Sequence, residues 1–388
     1  MKTLIKNANV VTRSEIIENG TCLIENGIIF QVGANVSRDD VENVIDANGG
    51  YLIPGFIDLH CHGGNGLDFM DATPEEIEQI SKFHLTHGTT TLYATTMTDS
   101  WNNIENSLRN YAEVLSADKL ITLNGVHLEG PWFSPAQCGA QDPENMDFPS
   151  KERLDYLLEN YSFIKRISVA PEIENGIMIG NYGAKKGLVM SVGHTDADFD
   201  TVVTASENGY TLLTHFYSGM AGVVRKNAFR VAGAVEAGYY LDDMNVEVIA
   251  DGKHLPQSLL KLIYKIKGSD NICLITDGTR GSGCANGTTF MLGRKIGGVK
   301  SIIEDDVAKL PDRTAFAGSV ATMDRVYRTM GEAIGNNLIE LSKMASTTPA
   351  KVMGLKDRGE IATGKRADLI ILDKKLNIEK VMLKGETI

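Results

Sequence analysis

Apolar positions along this chain follow two rhythms. Over the first fifty residues they fall in short runs, 4–10, 20–24 and 27–32, separated by tight-turn residues. Glu25-Asn26-Gly27 supplies a hairpin turn between the last two. The far end repeats the pattern at 367–372 and 378–383. Neither end is long enough to close a core alone, so the pattern predicts one small β-domain built from both, 1–53 with 355–388.

Residues 54–354 behave differently, with apolar strands alternating with amphipathic helical stretches. Eight strands are predicted, at 51–60, 89–95, 122–128, 167–171, 189–193, 211–215, 246–250 and 272–276. The best-signalled helix is 74–87, where Thr73 is the N-cap, Pro74 takes the first position, Glu76 completes a capping box and Gly88 ends it. The count of eight points to an α/β fold of the (β/α)8 TIM-barrel type. Alternation alone also permits an open doubly wound sheet. After the eighth strand, 281–317 is irregular, and its pieces 288–292 and 299–303 read as a β-hairpin on the barrel rim.

Barrel enzymes carry their chemistry at the C-terminal strand ends, where the βα loops form the open face. His60 and His62 close the first strand, and a spacing of two puts both imidazoles on one side. Glu129 ends the third strand, His194 the fifth, His215 the sixth and Asp277 the eighth. A single strand-end histidine is more often a packed rim residue than a ligand. Six metal-compatible donors at the same end of five strands are hard to obtain by accident. Imidazole and carboxylate without thiolate suit zinc first, and also iron or manganese, as one or two divalent ions. Asp277 has a second use, as the general base and acid of a hydrolysis. His84 and His87 lie in a helix and read as structural, and His127 lies deeper in the barrel as packing. His254, past the seventh strand, suits substrate contact. Cys61 points away from its flanking histidines and reads as a buried thiol.

Composition narrows the partners. The 388 residues carry 38 basic and 50 acidic side chains, a formal charge of −12, which excludes bulk attraction to nucleic acid or an anionic membrane. No apolar run reaches the roughly 20 residues of a spanning helix, and the start lacks a signal-peptide core. Five scattered cysteines without CxxC spacing suit a reducing cytoplasm.

Pro54-Gly55-Phe56-Ile57-Asp58-Leu59-His60-Cys61-His62-Gly63-Gly64, His127-Leu128-Glu129-Gly130-Pro131, Gly193-His194-Thr195, Thr214-His215, Ala250-Asp251-Gly252-Lys253-His254 and Thr276-Asp277 follow in order. Later come Ala317-Gly318-Ser319, Met323-Asp324, Gly359-Glu360-Ile361 and Gly364-Lys365-Arg366-Ala367-Asp368-Leu369. In these pieces, which span nearly the whole chain, the sequence resembles the amidohydrolase superfamily and, within it, the N-acetylglucosamine-6-phosphate deacetylases. The resemblance implies a barrel with a β-sandwich, a homodimer, and release of acetate from a phosphorylated N-acetylamino sugar. It implies Glu129, His194 and His215 as ligands of a main metal, His60 and His62 at a second position bridged by Glu129, and Asp277 as the acid/base.

The departures lie on the substrate side. Where the family has Asn-Ala after the sixth-strand histidine, this chain has Ser218-Gly219. Where it has Gly-Ala-His after the third strand, here stands Gly139-Ala140-Gln141, and glutamine donates a hydrogen bond but carries no proton. Gly278 follows Asp277 where the family has alanine. The phosphate-binding arginine has no clean counterpart, and Arg225, Lys226 and Arg230 are the local positive candidates, with a solvated basic loop as the plain alternative. A related amidohydrolase acting on another N-acyl or cyclic amide is the competing reading. A barrel kept only as a binding scaffold is a third, which the intact donor set disfavours.

Overall fold

The computed structural model describes residues 1–388 apart from 35, 37–39 and 118–121. Eight parallel strands form one sheet in chain order: Phe56–Cys61, Thr89–Thr95, Leu123–Glu129, Ile164–Val169, Val189–Val192, Tyr210–Leu213, Asn245–Ile249 and Ile272–Ile275. A helix follows each strand, from Pro74–Thr86 after the first to Met323–Ile334 after the eighth. The strands are almost wholly buried, which is why they read as apolar runs without alternation.

The sheet closes just beyond the regular ends of its first and eighth strands. Asp277 N donates to His60 O at 2.9 Å, and His62 N to Gly278 O at 2.7 Å. Below them the Asp58 carboxylate accepts from Thr276 N at 3.2 Å and from Thr276 Oγ1 at 2.6 Å, standing in for a ladder bond. Burial pushes the Asp58 carboxyl up to about 7. The fold is therefore a (β/α)8 barrel rather than an open sheet, and its closing seam runs beside His60, His62 and Asp277.

Strands from both chain ends make a second, eight-stranded sheet. Its hub is Lys2–Val11, whose first half pairs in parallel with Asn43–Asp46 and whose second half pairs with Tyr51–Pro54. Register shifts on either side of Ala8 separate the halves, and the sheet folds over a core that includes Ile5, Val10, Leu52, Ile361, Leu369 and Met382. The hairpin at Asn26-Gly27 forms as expected, with φ of 50° and 80° and Glu25 opposite Ile28.

Two expectations need correction. The single strand at 51–60 is two strands in two sheets, Tyr51–Pro54 and Phe56–Cys61. The switch falls at Gly55, where an added Cβ would meet Thr90 Oγ1 at 2.2 Å, so only glycine lets the chain cross that closely. The rim excursion is three-stranded, Thr289–Leu292, Val299–Glu304 and Val307–Lys309. Its last turn uses Asp305 and Asp306 at φ of 56° and 59°, which lacks the glycine that marks such turns in a sequence. Among the described residues no helix is long and apolar enough to cross a membrane.

Candidate metal centre

The six strand-end residues meet in one place. Glu129 is the last residue of the third strand. His194, His215 and Asp277 each stand two residues past a regular strand end, with φ of 45°, 29° and 47°. Three non-glycine residues held in a left-handed backbone at one rim are costly, of order 1–3 kcal/mol each, and such strain concentrates at functional sites.

Their donor atoms form two triangles sharing Glu129. In one, His215 Nε2 is 3.2 Å from His194 Nε2, and these two lie 3.0 and 3.4 Å from Glu129 Oε1. In the other, His60 Nε2 and His62 Nε2 are 3.2 Å apart, with His60 3.5 Å from Glu129 Oε1 and His62 3.3 Å from Oε2. Asp277 Oδ1 caps this second triangle, 3.2 Å from His62 and 3.4 Å from His60.

The outer nitrogens explain why the inner ones converge. His194 Nδ1 donates to Gln137 O at 2.9 Å and His215 Nδ1 to Ser218 O at 3.1 Å, which leaves each Nε2 facing inward. His60 Nδ1 donates to Glu247 Oε2 at 3.2 Å. Lone pairs of imidazole and carboxylate brought this close repel, so something positive belongs among them. Two ligands at about 2.05 Å from a tetrahedral zinc would lie about 3.3 Å apart. Both triangles have that size, and the donor set fits a divalent ion.

The charges around each group act in the same sense. Burial by itself would discharge His60, but the carboxylates of Glu129, Asp277 and Glu247 outweigh it and hold its pKa well above the usual imidazole value. Burial likewise opposes charge on His62, and hydrogen bonds to Asp277 and Glu129 still push it up to about 9. For Glu129, burial would raise the carboxyl, yet His60, His194 and His215 hold it well below the usual range. Asp277 is lowered for the same reason, its burial outweighed by His60 and His62. Without a cation, then, the centre keeps protons.

The chain from residue 51 to residue 388 matches the amidohydrolase family model. The chain belongs to the amidohydrolase family. It is 32% identical to N-acetylglucosamine-6-phosphate deacetylase of Bacillus subtilis, over 98% of this chain and 96% of that one. It is 31% identical to the enzyme of the same name from Lysinibacillus sphaericus, over 99% and 97%. Among solved structures it is similar to a mutant N-acetyl-D-glucosamine-6-phosphate deacetylase of Mycobacterium smegmatis in complex with N-acetyl-D-glucosamine-6-phosphate. The TM-score is 0.91 at 29% identity, covering 100% of this chain and 99% of that one.

In this amidohydrolase the centre opens into a cavity of about 210 Å³. Gln141, Ser218, Gly219 and His254 line it, with Met97, Leu292, Ala315 and Phe316. His254 is set by Asp251, whose Oδ2 accepts from its Nδ1 at 2.8 Å, and by Phe316, whose ring centroid lies 4.6 Å away. Gln141 sits in the wall, but its amide is occupied by Glu129 and Thr98. Arg225 and Arg230 lie outside the wall, paired across an exposed hairpin of Val224–Lys226 and Phe229–Val231. His84 and Cys61 pack together, Nε2 to Sγ 3.2 Å, away from the centre. His87 pairs with Asp324 at 3.1 Å.

Glu247 and Arg166 were not among the expected residues. Both are wholly buried beneath the histidines and form a salt bridge. Glu247 also accepts from His60 Nδ1 and from His215 N, the latter at 3.1 Å, so one carboxylate sets two of the candidate ligands. Arg166 is held in turn by Ser191 Oγ at 2.8 Å and Thr214 Oγ1 at 3.1 Å. The available signal was a glutamate flanked by valines inside the apolar strand 246–250. A buried charge there demands a partner.

Proposed function

We propose that this amidohydrolase removes the acetyl group of an N-acetylamino sugar phosphate, N-acetylglucosamine-6-phosphate first, giving the amino sugar phosphate and acetate. The carrying observation is the pair of donor triangles meeting at Glu129 with Asp277 beside them, at the floor of a cavity. The names of its full-length relatives supply the substrate class.

Glu129, His194 and His215 would hold the main ion, zinc in preference to iron or manganese, and His60 and His62 a second. Such an ion polarises a carbonyl and makes a proton of bound water easy to remove. The chain's own residues do the rest. Asp277, only 6% exposed and ionised by its histidine neighbours, takes that proton on a carboxylate oxygen. It then returns the proton to the amide nitrogen, so that the nitrogen leaves as a neutral amine rather than as an anion. His254, fixed through Nδ1, keeps Nε2 as an acceptor for a sugar hydroxyl. Ser218 and Gly219 line the same cavity and would border the ligand.

Phosphate is assigned to Arg225 and Arg230. Their hairpin also exposes Phe229 (77%), with Val223 (54%) just before the hairpin, and exposed apolar side chains of this kind suit a homodimer contact. We place the small domain at 1–53 with 355–388, the barrel at 54–354, and the protein in the cytoplasm. The sheet switch at Gly55 supports the first boundary.

Metal-loaded protein incubated with phosphorylated and plain N-acetylglucosamine and N-acetylgalactosamine, with acetate measured, tests the reading. Release from a 6-phosphate is expected. Arg225→Ala with Arg230→Ala should raise KM for the phosphorylated sugar and leave the plain one unchanged. No acetate from any of the four sugars would refute the proposal.

A further inference from the structure

Gln141 is 5% exposed and reaches Glu129 from the loop after the third strand. Its Oε1 accepts from Thr98 N at 2.7 Å, and its Nε2 donates to Glu129 Oε2 at 2.9 Å. The amide has no second orientation. Flipped, it would set its NH2 against the Thr98 N–H and its oxygen against a carboxylate. Among the described residues no other amide or hydroxyl donates to the Glu129 carboxylate.

The two oxygens of Glu129 are thereby unequal. Oε1 faces His215 and His194 at 3.0 and 3.4 Å, with His60 farther off at 3.5 Å, and accepts from no side-chain amide or hydroxyl. Oε2 lies 3.3 Å from His62 but already spends a lone pair on Gln141. A hydrogen bond to a carboxylate lowers its electron density and fixes its plane, and outer partners of this kind shift metal affinity by about 10- to 100-fold.

We infer that Gln141 is a positioning residue that makes the centre asymmetric. It turns Oε1 towards His194 and His215 for a firmly held ion. It leaves His62 facing an oxygen, Oε2, that already carries a hydrogen bond, so that a second ion between His60 and His62 binds weakly. This rests on the metal-dependent reading above.

The test is a stepwise titration of chelator-stripped protein with Zn2+, using a competing chromophoric chelator and elemental analysis of ions per chain. The native chain should take one ion at least tenfold more tightly than a second. In Gln141→Leu the first ion should weaken by about 10-fold or more and the second should tighten, so the gap narrows. Gln141→Met, closer in length, carries the same test if the leucine variant does not fold. A merely structural role would weaken both ions in parallel, and that result overturns the inference. So do two equally tight ions in the native chain, or an unchanged gap in the variants. A native chain that binds no ion overturns the metal reading itself, and this inference with it.

Discussion

Glu247→Gln isolates the buried carboxylate that underpins the centre. Three donors converge on its two oxygens: the Arg166 guanidinium, His60 Nδ1 at 3.2 Å and His215 N at 3.1 Å. The amide keeps the shape but offers one oxygen. If that oxygen faces Arg166, the new NH2 meets His60 Nδ1, and His60 must move its proton to Nε2, where it can no longer bind a metal. If it faces His60 instead, Arg166 loses its acceptor oxygen as well as the anion that either orientation removes, a loss of about 3–5 kcal/mol. The first route costs metal affinity, about 10- to 100-fold, or roughly 1.4–2.7 kcal/mol. The second costs stability of the metal-free fold. Competition with a chelator reads the first, and urea unfolding of stripped protein reads the second. The pKa of Glu247 is held near 2, because Arg166 and His60 outweigh its burial. Its contribution is therefore present above the ordinary glutamate range and lost as pH falls through about 2, so the mutant's deficit should shrink in acid. Metal affinity within twofold of native, together with unchanged urea stability, would refute the reasoning.

Asp277→Asn should lower turnover by about 10²- to 10⁴-fold while leaving the ion at His194 and His215 in place, read by steady-state kinetics and metal content. A variant that keeps full turnover would remove Asp277 as the proton carrier. Metal uptake should release protons at pH 7, because metal-free His62 titrates at about 9 and must lose its proton to bind. Affinity should rise with pH up to about 9, checked by calorimetry in buffers of different ionisation enthalpy. Asp58→Ala strips the acceptor from Thr276 N and Thr276 Oγ1 at the barrel seam, for roughly 2–6 kcal/mol at 1–3 per orphaned donor. Asp58 titrates at about 7, above an ordinary aspartate, so its contribution is fully present at low pH and fades as pH rises through 7. Urea unfolding should show a larger penalty at pH 5 than at pH 8.

Local pattern made much of this protein legible. Seven of the eight apolar runs, the capping box at Thr73 and the Asn26-Gly27 turn formed where the local pattern put them, and the first run split in two. The spacing of two between His60 and His62 brought their Nε2 atoms to 3.2 Å, as strand geometry requires. The convergence of five strand ends followed once the barrel closed in chain order. Other features had no local signature. The split at Gly55 is decided by how close Thr90 approaches from the next strand. The partnership of Glu247 with Arg166 joins two strands 81 residues apart, and nothing near either residue names the other. Gln141 looked like a substrate contact because it stands where the resembled family has the histidine of Gly-Ala-His. Only the Thr98 N–H, brought in from another loop, fixes which end of its amide faces Glu129. The sequence by itself determined which side chains stand at the open end of the barrel. The tertiary structure decided how each is turned and what charge it holds, because orientation and pKa depend on partners that only the closed barrel brings within 3 Å or so.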